Sequence, residues 1–534
     1  MFAELLVAAC LFAGDLAEGA SLPDDAFLEQ EGAVVGTITI LRQDVFDSND
    51  PEENNKIFRL ANRLHLDTRE PVIRRQLLFT PGQPYSRRLL AESERHLRRN
   101  RYLYDARIRP VRYVDGRVDI VVETRDVWTL VVGAGVSRSG GVNESRFELQ
   151  DKNFLGYGKD LTLEYRKDVD RTTTIGRYFD AEFLGSRWEF EALYEDLSDG
   201  SRQKYKLERP FFALDERFSR GVTVILDDRE DRIYALGKIR DRYRHQGDFV
   251  QVHNGWSKGL VDGFVHRWTV GYTYQRDLFV EVPEQPPVTA LPKDRELSFP
   301  WLAFESVQDD FLKTKDLDSI SRTEDLLRGR RWGFKLGFSS PDWGGDKNQA
   351  IYDVHVDDAW ETGHGGLFLF RAGLTGRAAE GRAENMVAGT TLRFYQRNFG
   401  RHAFVARFEG QLGSNLDVDN QLLLGGDTGL RGFPLRYAEG DRRLLLSLEQ
   451  RLYGQKQWFK LAYVGAAVFG DIGRAWYQDI DQNFGWLADV GFGLRISSSR
   501  SSGAGMIHLD VAFPLNGDES IKTVQYLARV LETF

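Results

Sequence analysis

The chain has 534 residues, of which 42% are apolar and 28% charged, with a formal net charge of −9 at pH 7. That charge argues against a general nucleic-acid binder, and the lack of any run of about 18 apolar residues excludes a helical membrane span. A membrane wall built of strands is not excluded, because alternating lipid-facing and lumen-facing residues average out polar. The aromatic content of 12% and the 52 glycines favour many strands joined by turns.

Residues 1–20 read as a secretion signal. Leu5–Ala13 is apolar, and Ala17-Glu18-Gly19 offers small residues at the two positions a signal peptidase reads. Its start is poor, with Glu4 and no lysine or arginine, which suggests a beginning further upstream. Val7-Ala8-Ala9-Cys10 also resembles a lipoprotein box, but few residues precede it. Cys10 is the one cysteine, so a chain cut after this segment has no disulfide and no thiolate metal site.

Ala33–Leu41 reads as a strand, and a polar stretch, Asp47–Asn55, follows. Glu70–Phe79 and Arg87–Asn100 read as helices, the second capped by Ser86 and apolar at Leu89, Leu90 and Leu97. Asp105–Val114 and Arg117–Glu123 form a hairpin turned at Asp115-Gly116. This strand-helix-helix-strand-strand order over residues 33–126 resembles a POTRA module, as does Phe79-Thr-Pro-Gly-Gln-Pro-Tyr85-Ser86 with Tyr102-Leu-Tyr104 after the helix. From Arg69 to Arg112 there are twelve arginines against Glu70, Glu92, Glu94 and Asp105. That basic face suits either plain solvation or contact with anionic head groups or acidic clients.

From Val127 the helical pattern stops. In Trp486–Ile496, Trp486, Ala488, Val490, Phe492, Leu494 and Ile496 share one face, against Asp489 and Arg495. Ile507, Leu509, Val511 and Phe513 oppose His508 and Asp510 in the same way, as Trp188, Phe190, Ala192 and Tyr194 oppose Glu189 and Glu191. Alternation alone fits a soluble sandwich as well as a membrane barrel. The many strand-like segments, the secretion signal and the terminal Phe534 favour the barrel, over residues 127–534. The longest loop candidates are Glu281–Leu297, rich in proline, and the charged Lys313–Arg328, both taken as extracellular.

The densest motif is Leu424-Gly425-Gly426-Asp427-Thr428-Gly429-Leu430-Arg431-Gly432-Phe433. Leu430, Arg431, Gly432 and Phe433 resemble the inward-folding loop of the BamA/TamA superfamily of barrel-assembly and translocation proteins. In Arg443–Leu452 the outward residues are Leu444, Leu446, Leu448 and Leu452, so parity turns Glu449 inward. Phe469-Gly470-Asp471-Ile472-Gly473 resembles the superfamily's Phe-x-Asp-x-Gly strand, and parity turns Asp471 inward too. The resemblance implies that Arg431 meets Glu449 and Asp471 in the lumen, with Phe469 and Gly473 beside them. Asn153-Phe154-Leu155-Gly156-Tyr157-Gly158 resembles its early-strand Asn-x-Leu-Gly-x-Gly turn, and Glu208-Arg209-Pro210-Phe211-Phe212 resembles its later Pro-Tyr-Phe element. Tyr526, Val530 and Phe534 resemble the C-terminal sorting signal read by the barrel-assembly machinery, with Leu531 where glycine is usual.

The expected fold is therefore an all-β transmembrane barrel of about 16 antiparallel strands, the superfamily number, behind one small α+β POTRA domain. The implied role is insertion or translocation of polypeptides at the cell outer membrane, with the POTRA domain in the periplasm taking an unfolded client by strand addition. The seam between the first strand, with Gly133 and Gly135, and the last would open. A passive pore or structural barrel is the alternative. No catalytic constellation is legible: a Gly-x-Ser-x-Gly elbow and a His-x-x-x-His pair are both lacking, and Asp227-Asp228 and Asp357-Asp358 read as rim charges. Neither cofactor nor metal is expected, and lipid is the expected surroundings.

Overall fold

A computed structural model describes residues 22–282, 290–398, 401–479, 485–502 and 505–531. The signal segment, Cys10 and Phe534 lie outside them, as does the side chain of Val530.

The N-terminal domain contains α1 (Asp25–Gln30), β1 (Val34–Gln43), α2 (Lys56–Leu64), α3 (Glu70–Arg75), α4 (Arg87–Arg99), β2 (Leu103–Val114) and β3 (Arg117–Asp126). The sheet order is β1-β3-β2, with β1 parallel and β2 antiparallel to β3. Asp115 (φ 51°) and Gly116 (φ 74°) supply the left-handed pair that a two-residue hairpin turn demands. The Ser86 side chain accepts the Leu89 N–H at the start of α4. Val72, Ile73, Leu90 and Leu97 of the helices are fully buried against Val35, Ile108 and Ile120 of the sheet. Each such side chain contributes roughly 1.5–3 kcal/mol of burial. The helix expected to reach Phe79 ends at Arg75, because the Leu78 N–H goes to Ser93 Oγ on α4 instead of continuing the helical ladder. The sequence reading also missed α1 and α2.

From Leu130–Ser139 to Gln525–Leu531, 20 strands pair antiparallel with their neighbours and close into one barrel. This corrects the expected number of about 16, which treated surplus strand-like segments as loop hairpins. Short turns instead return most of them directly to the wall. Outside it stand two small hairpins, Phe311–Lys315 with Thr323–Leu327 and Leu422–Leu424 with Ala438–Gly440. The closed wall also sets aside the sandwich.

Side-chain parity gives the wall its character. Val132, Val136, Leu336, Val468 and Phe492 are exposed on the outside, whereas Glu449, Asp471, Arg495 and Asp510 are buried on the inside. Such an inside-out wall matches a bilayer rather than water. The strands Phe218–Ala235, Lys238–Val261 and Phe264–Glu281 have 18, 24 and 18 residues. Crossing takes about 9–11. They therefore project past the apolar belt, away from the N-terminal domain.

One loop lies on the wrong end. Lys313–Arg328, expected as an extracellular loop, connects two strands at the N-terminal-domain end and carries the hairpin Phe311–Lys315 and Thr323–Leu327. Even strand alternation places that connection with the N-terminal domain.

A wall whose backbone groups are paired around its circumference resists detergent until heated. The protein should migrate faster unheated than boiled on a detergent gel; identical migration would contradict a closed barrel.

Candidate functional site

Residues 415–441 join the wall strands His402–Ser414 and Arg442–Trp458 and turn back into the barrel. Leu424, Leu430, Phe433 and Tyr437 of this loop are buried against Leu445 and Leu487 on the inner wall. That apolar contact sets the loop's depth. Arg431 follows immediately, and its position is fixed by charge. Nε and Nη2 donate to the two oxygens of Asp471 at 2.7 and 2.9 Å, and Nη1 donates to Glu449 at 2.8 Å. The guanidinium plane lies over Phe469, 3.3 Å from the ring centroid. A planar five-donor fork meets two carboxylates and a ring face at once, which a lysine cannot do.

The structure thus brings Arg431, Glu449, Asp471 and Phe469 together. Gly473 is also explained: a Cβ there would approach the Leu424 side chain at 2.9 Å and the Leu444 carbonyl at 2.8 Å. Gly432 is explained by close contact and not by a sharp turn. Its φ is not in the left-handed region. A Cβ would instead lie 2.6 Å from Asp489 Cβ and 3.0 Å from Pro514 N, so glycine is needed for close approach to the wall.

The cluster is larger than the sequence motifs indicated. Arg495, fully buried, donates to both Glu449 oxygens at 3.1 and 2.8 Å and to Asp510 at 2.5 Å. Arg451 donates to Glu449 at 2.7 Å. Asp489 stands opposite Asp471 in the strand ladder and is also buried. The same parity that turned Glu449 inward turns Arg451, Asp489, Arg495 and Asp510 inward, so the signal was available. Sequence separation concealed which of them meet.

The seam is short. Among the described residues the last strand pairs with the first only through Ala528 opposite Arg138, away from Gly133 and Gly135. The inward loop spans it: the Gly426 carbonyl accepts from Ser139 Oγ of the first strand at 2.8 Å and from Arg529 Nη1 of the last at 3.1 Å. Tyr526 lies on the outer face of the last strand, opposite Val511.

At the other end, the N-terminal domain docks on the barrel turns. Arg98 makes two bonds to Asp325, at 2.6 and 2.7 Å, Arg75 pairs with Glu182, and Arg88 with Asp215. Glu92 accepts the Leu214 N–H at 2.7 Å, and His96 packs its ring edge-on against Phe212. Burial, with Arg99 and Arg95 nearby, pushes His96 down to about 3, so it docks neutral. The Asn153–Gly158 turn joins in: Asn153 donates to Thr68 Oγ1 and the Gly156 carbonyl accepts the Arg69 N–H. Much of the basic face is therefore ion-paired to the barrel's acidic turns. Beyond Asp325, the hairpin tip enters the lumen. Ile320 packs on Tyr453 and Met506, Asp318 accepts from the Tyr395 hydroxyl at 3.0 Å, and the Leu317 carbonyl accepts from Arg451 at 3.1 Å.

His65, Asp67 and Asp126 bring potential ligand atoms within 4.8 Å of one another. Asp126 Oδ2 already accepts from the Thr68 backbone N–H and hydroxyl, at 2.7 and 2.9 Å, and lies 3.1 Å from His65 Nε2. Its geometry is that of an anchor for the segment entering α3. Asp227, Asp228, Asp357 and Asp358 pair with arginines along or across the strands, as wall charges do.

No family model matches the chain. It is 29% identical over 143 residues to a protein of Treponema pallidum described as an outer membrane protein assembly factor, covering 24% of this chain and 17% of that one. Three solved structures are similar to it at low identity. BamA from Haemophilus ducreyi lacking POTRA domains 1–3 gives a TM-score of 0.40 at 14% identity, over 92% of this chain and 84% of that chain. CdiB from Acinetobacter baumannii gives 0.45 at 11% identity, over 93% and 73%. CdiB from Escherichia coli gives 0.44 at 14% identity, over 93% and 76%.

Two outcomes test these contacts. Arg431→Ala leaves two carboxylates buried without their shared cation, a change that typically costs about 3–5 kcal/mol and less where water enters the lumen. Residues 415–441 should become protease-sensitive while heat-modifiable migration persists, and Arg431→Lys should rescue only in part; unchanged protection would dismiss the cluster as the loop's anchor. Arg98→Ala and Asp325→Ala should each raise hydrogen exchange in α4, and the double variant should add little, with a coupling of about 0.5–3 kcal/mol. Strictly additive effects would show that the pair is not a dock.

Proposed function

We infer that the chain is an outer-membrane barrel of the BamA/TamA type, with its N-terminal domain acting as a periplasmic POTRA domain, and that it inserts or translocates polypeptides through a seam that parts. The observation that carries this reading is the seam: among the described residues one ladder pair closes a wall whose other joints run for many residues. Backbone pairing and cross-strand packing hold a sheet together, so the wall opens where both are least. Arg431, Glu449 and Asp471 hold the loop that bridges the seam at Gly426, and Phe469 and Gly473 shape its bed. An unfolded client would add a strand to an edge of the β1-β3-β2 sheet before reaching the seam. Tyr526, Val530 and Phe534 would serve the chain's own delivery to the assembly machinery.

A passive pore is less well supported. The inward loop fills the lumen from one end, and the hairpin tip at Ile320 enters it from the other.

Ala528 and Arg138 face each other across two antiparallel strands, a separation that a disulfide can bridge. In a Cys10→Ser background, Ala528→Cys with Arg138→Cys should crosslink on oxidation. Insertion of a urea-unfolded outer-membrane barrel into proteoliposomes should then stop and return on reduction. Undiminished insertion with the crosslink complete would reject an opening seam.

A further inference from the structure

α2 is a nine-residue helix, Lys-Ile-Phe-Arg-Leu-Ala-Asn-Arg-Leu, with no buried residue. At 100° per residue its side chains fall into three arcs. Phe58 and Asn62 form the attached arc: the Phe58 ring stacks on Phe46 at 4.0 Å, and Asn62 exchanges hydrogen bonds with the Phe46 backbone at 2.7 and 3.1 Å. Ile57, Leu60 and Leu64 form a second arc, 76%, 55% and 66% exposed, and Leu66, just past the helix, is exposed too. Lys56, Arg59 and Arg63 fill the flank between them.

Such a stripe has no use in water. Three large aliphatic side chains at helical spacing lie outside the domain's core, which α3 and α4 complete without them. The three cations have no ion pair among the described residues. Asp44 accepts from Asn62 and Asp47 from the Asn49 N–H, and the other acids of the preceding loop are engaged with the barrel: Asp50 and Glu52 with Lys460 at 3.4 and 2.5 Å, and Glu53 with Arg500.

Those same pairs fix where α2 sits. Lys460 belongs to the barrel turn that carries Trp458 and Phe459, 48% and 81% exposed, and Leu461. The Arg500 guanidinium, from the next turn at this end, donates to the Val45 carbonyl at 2.6 Å and lies over Phe46. The segment leading into α2 is thus bonded to the rim where the outer apolar belt ends, and exposed aromatic residues at such a rim sit at head-group level.

We propose that α2 is an interfacial helix that lies in the periplasmic leaflet of the membrane the barrel spans, with Ile57, Leu60 and Leu64 at the acyl boundary and Lys56, Arg59 and Arg63 on anionic head groups. This rests on the membrane-barrel reading above. The stripe continues the barrel's own lipid-facing belt, and the flanking cations match the negative surface of an anionic leaflet.

The test uses the full chain, Cys10→Ser, in nanodiscs, with a fluorophore on Leu60→Cys or Leu64→Cys. A belt site, Val132→Cys, reports lipid, and an exposed loop site, Asp518→Cys, reports water. Lipids with doxyl-labelled chains should quench the α2 labels, as they quench Val132→Cys, while aqueous iodide quenches them far less than Asp518→Cys. Quenching should be stronger with phosphatidylglycerol than with phosphatidylcholine alone. Leu60→Glu with Leu64→Glu, read from a label on Ile57→Cys, should abolish lipid quenching and leave heat-modifiable migration intact. Iodide access equal to that of Asp518→Cys would overturn the proposal. Protection from iodide without doxyl quenching would also overturn it, since a protein would then cover the stripe. Quenching equal in both lipids would overturn the head-group assignment. A belt label that lipid fails to quench would overturn the membrane reading as well, so the two failures are told apart.

Discussion

The chain's architecture depends on one buried cation. Arg431 is 7% exposed and shares its donors between Asp471 and Glu449, which sit on adjacent wall strands. Taking these charges out of water costs several kcal/mol each, and only good geometry offsets that cost. Here Glu449 is also met by Arg451 and Arg495, and Arg495 reaches Asp510 on the strand after its own. Four consecutive wall strands are therefore tied by side chains as well as by backbone. The loop is part of that tie, so it cannot leave without unpairing Asp471, both of whose oxygens accept from Arg431.

This rigidity adjoins the weakest joint. The last wall strand to carry a cluster residue, Met506–Pro514, pairs along seven positions with the final strand, which among the described residues meets the first strand through one pair. The loop held by Arg431 gives back some cohesion through the Gly426 carbonyl and its two donors. Loop and seam are thereby linked thermodynamically. Whatever stabilises the inward loop adds two hydrogen bonds to seam closure, and whatever parts the strands weakens the loop's hold by the same amount. A seam closed by a long ladder would gain nothing from such a loop.

Parity explains what the sequence revealed. Period-two alternation marks which residues turn inward, so Glu449 and Asp471 were legible from leucines and valines on the opposite face. Arg495 and Asp510 carried the same mark. What parity cannot give is register between strands, hence Arg495 on Glu449, 46 positions away, was invisible. Strand number failed for a related reason. A strand-like segment in the wall and one in a loop hairpin look alike locally, and pairing decides between them. Lys313–Arg328 went to the wrong end because its charge suggested water; those charges are in fact used on Glu94 and Asp310, and Arg98 comes to meet its acids. α2 escaped because nine residues, three of them basic, give too short a helical period to stand out.

The dock also limits where a further strand could join the sheet of the N-terminal domain. Sheet order β1-β3-β2 leaves two edges. The start of β1 is already covered, since its Val35 exchanges backbone bonds with Gly82 and Gln83, each at 2.8 Å. The start of β2 is covered too: Arg322 of the barrel hairpin donates to the Leu103 carbonyl, and Thr323 donates to Asp105. Strand addition needs a run of free donors and acceptors, so on β2 it is confined to the half from Arg107 to Val114. That half carries Arg107, Arg109 and Arg112, three of the arginines that none of the barrel docking pairs use, and Pro110 removes one backbone donor from it. Added on that side, a strand rich in acidic side chains would find charge partners along the edge, and its register would be set by the gap at Pro110.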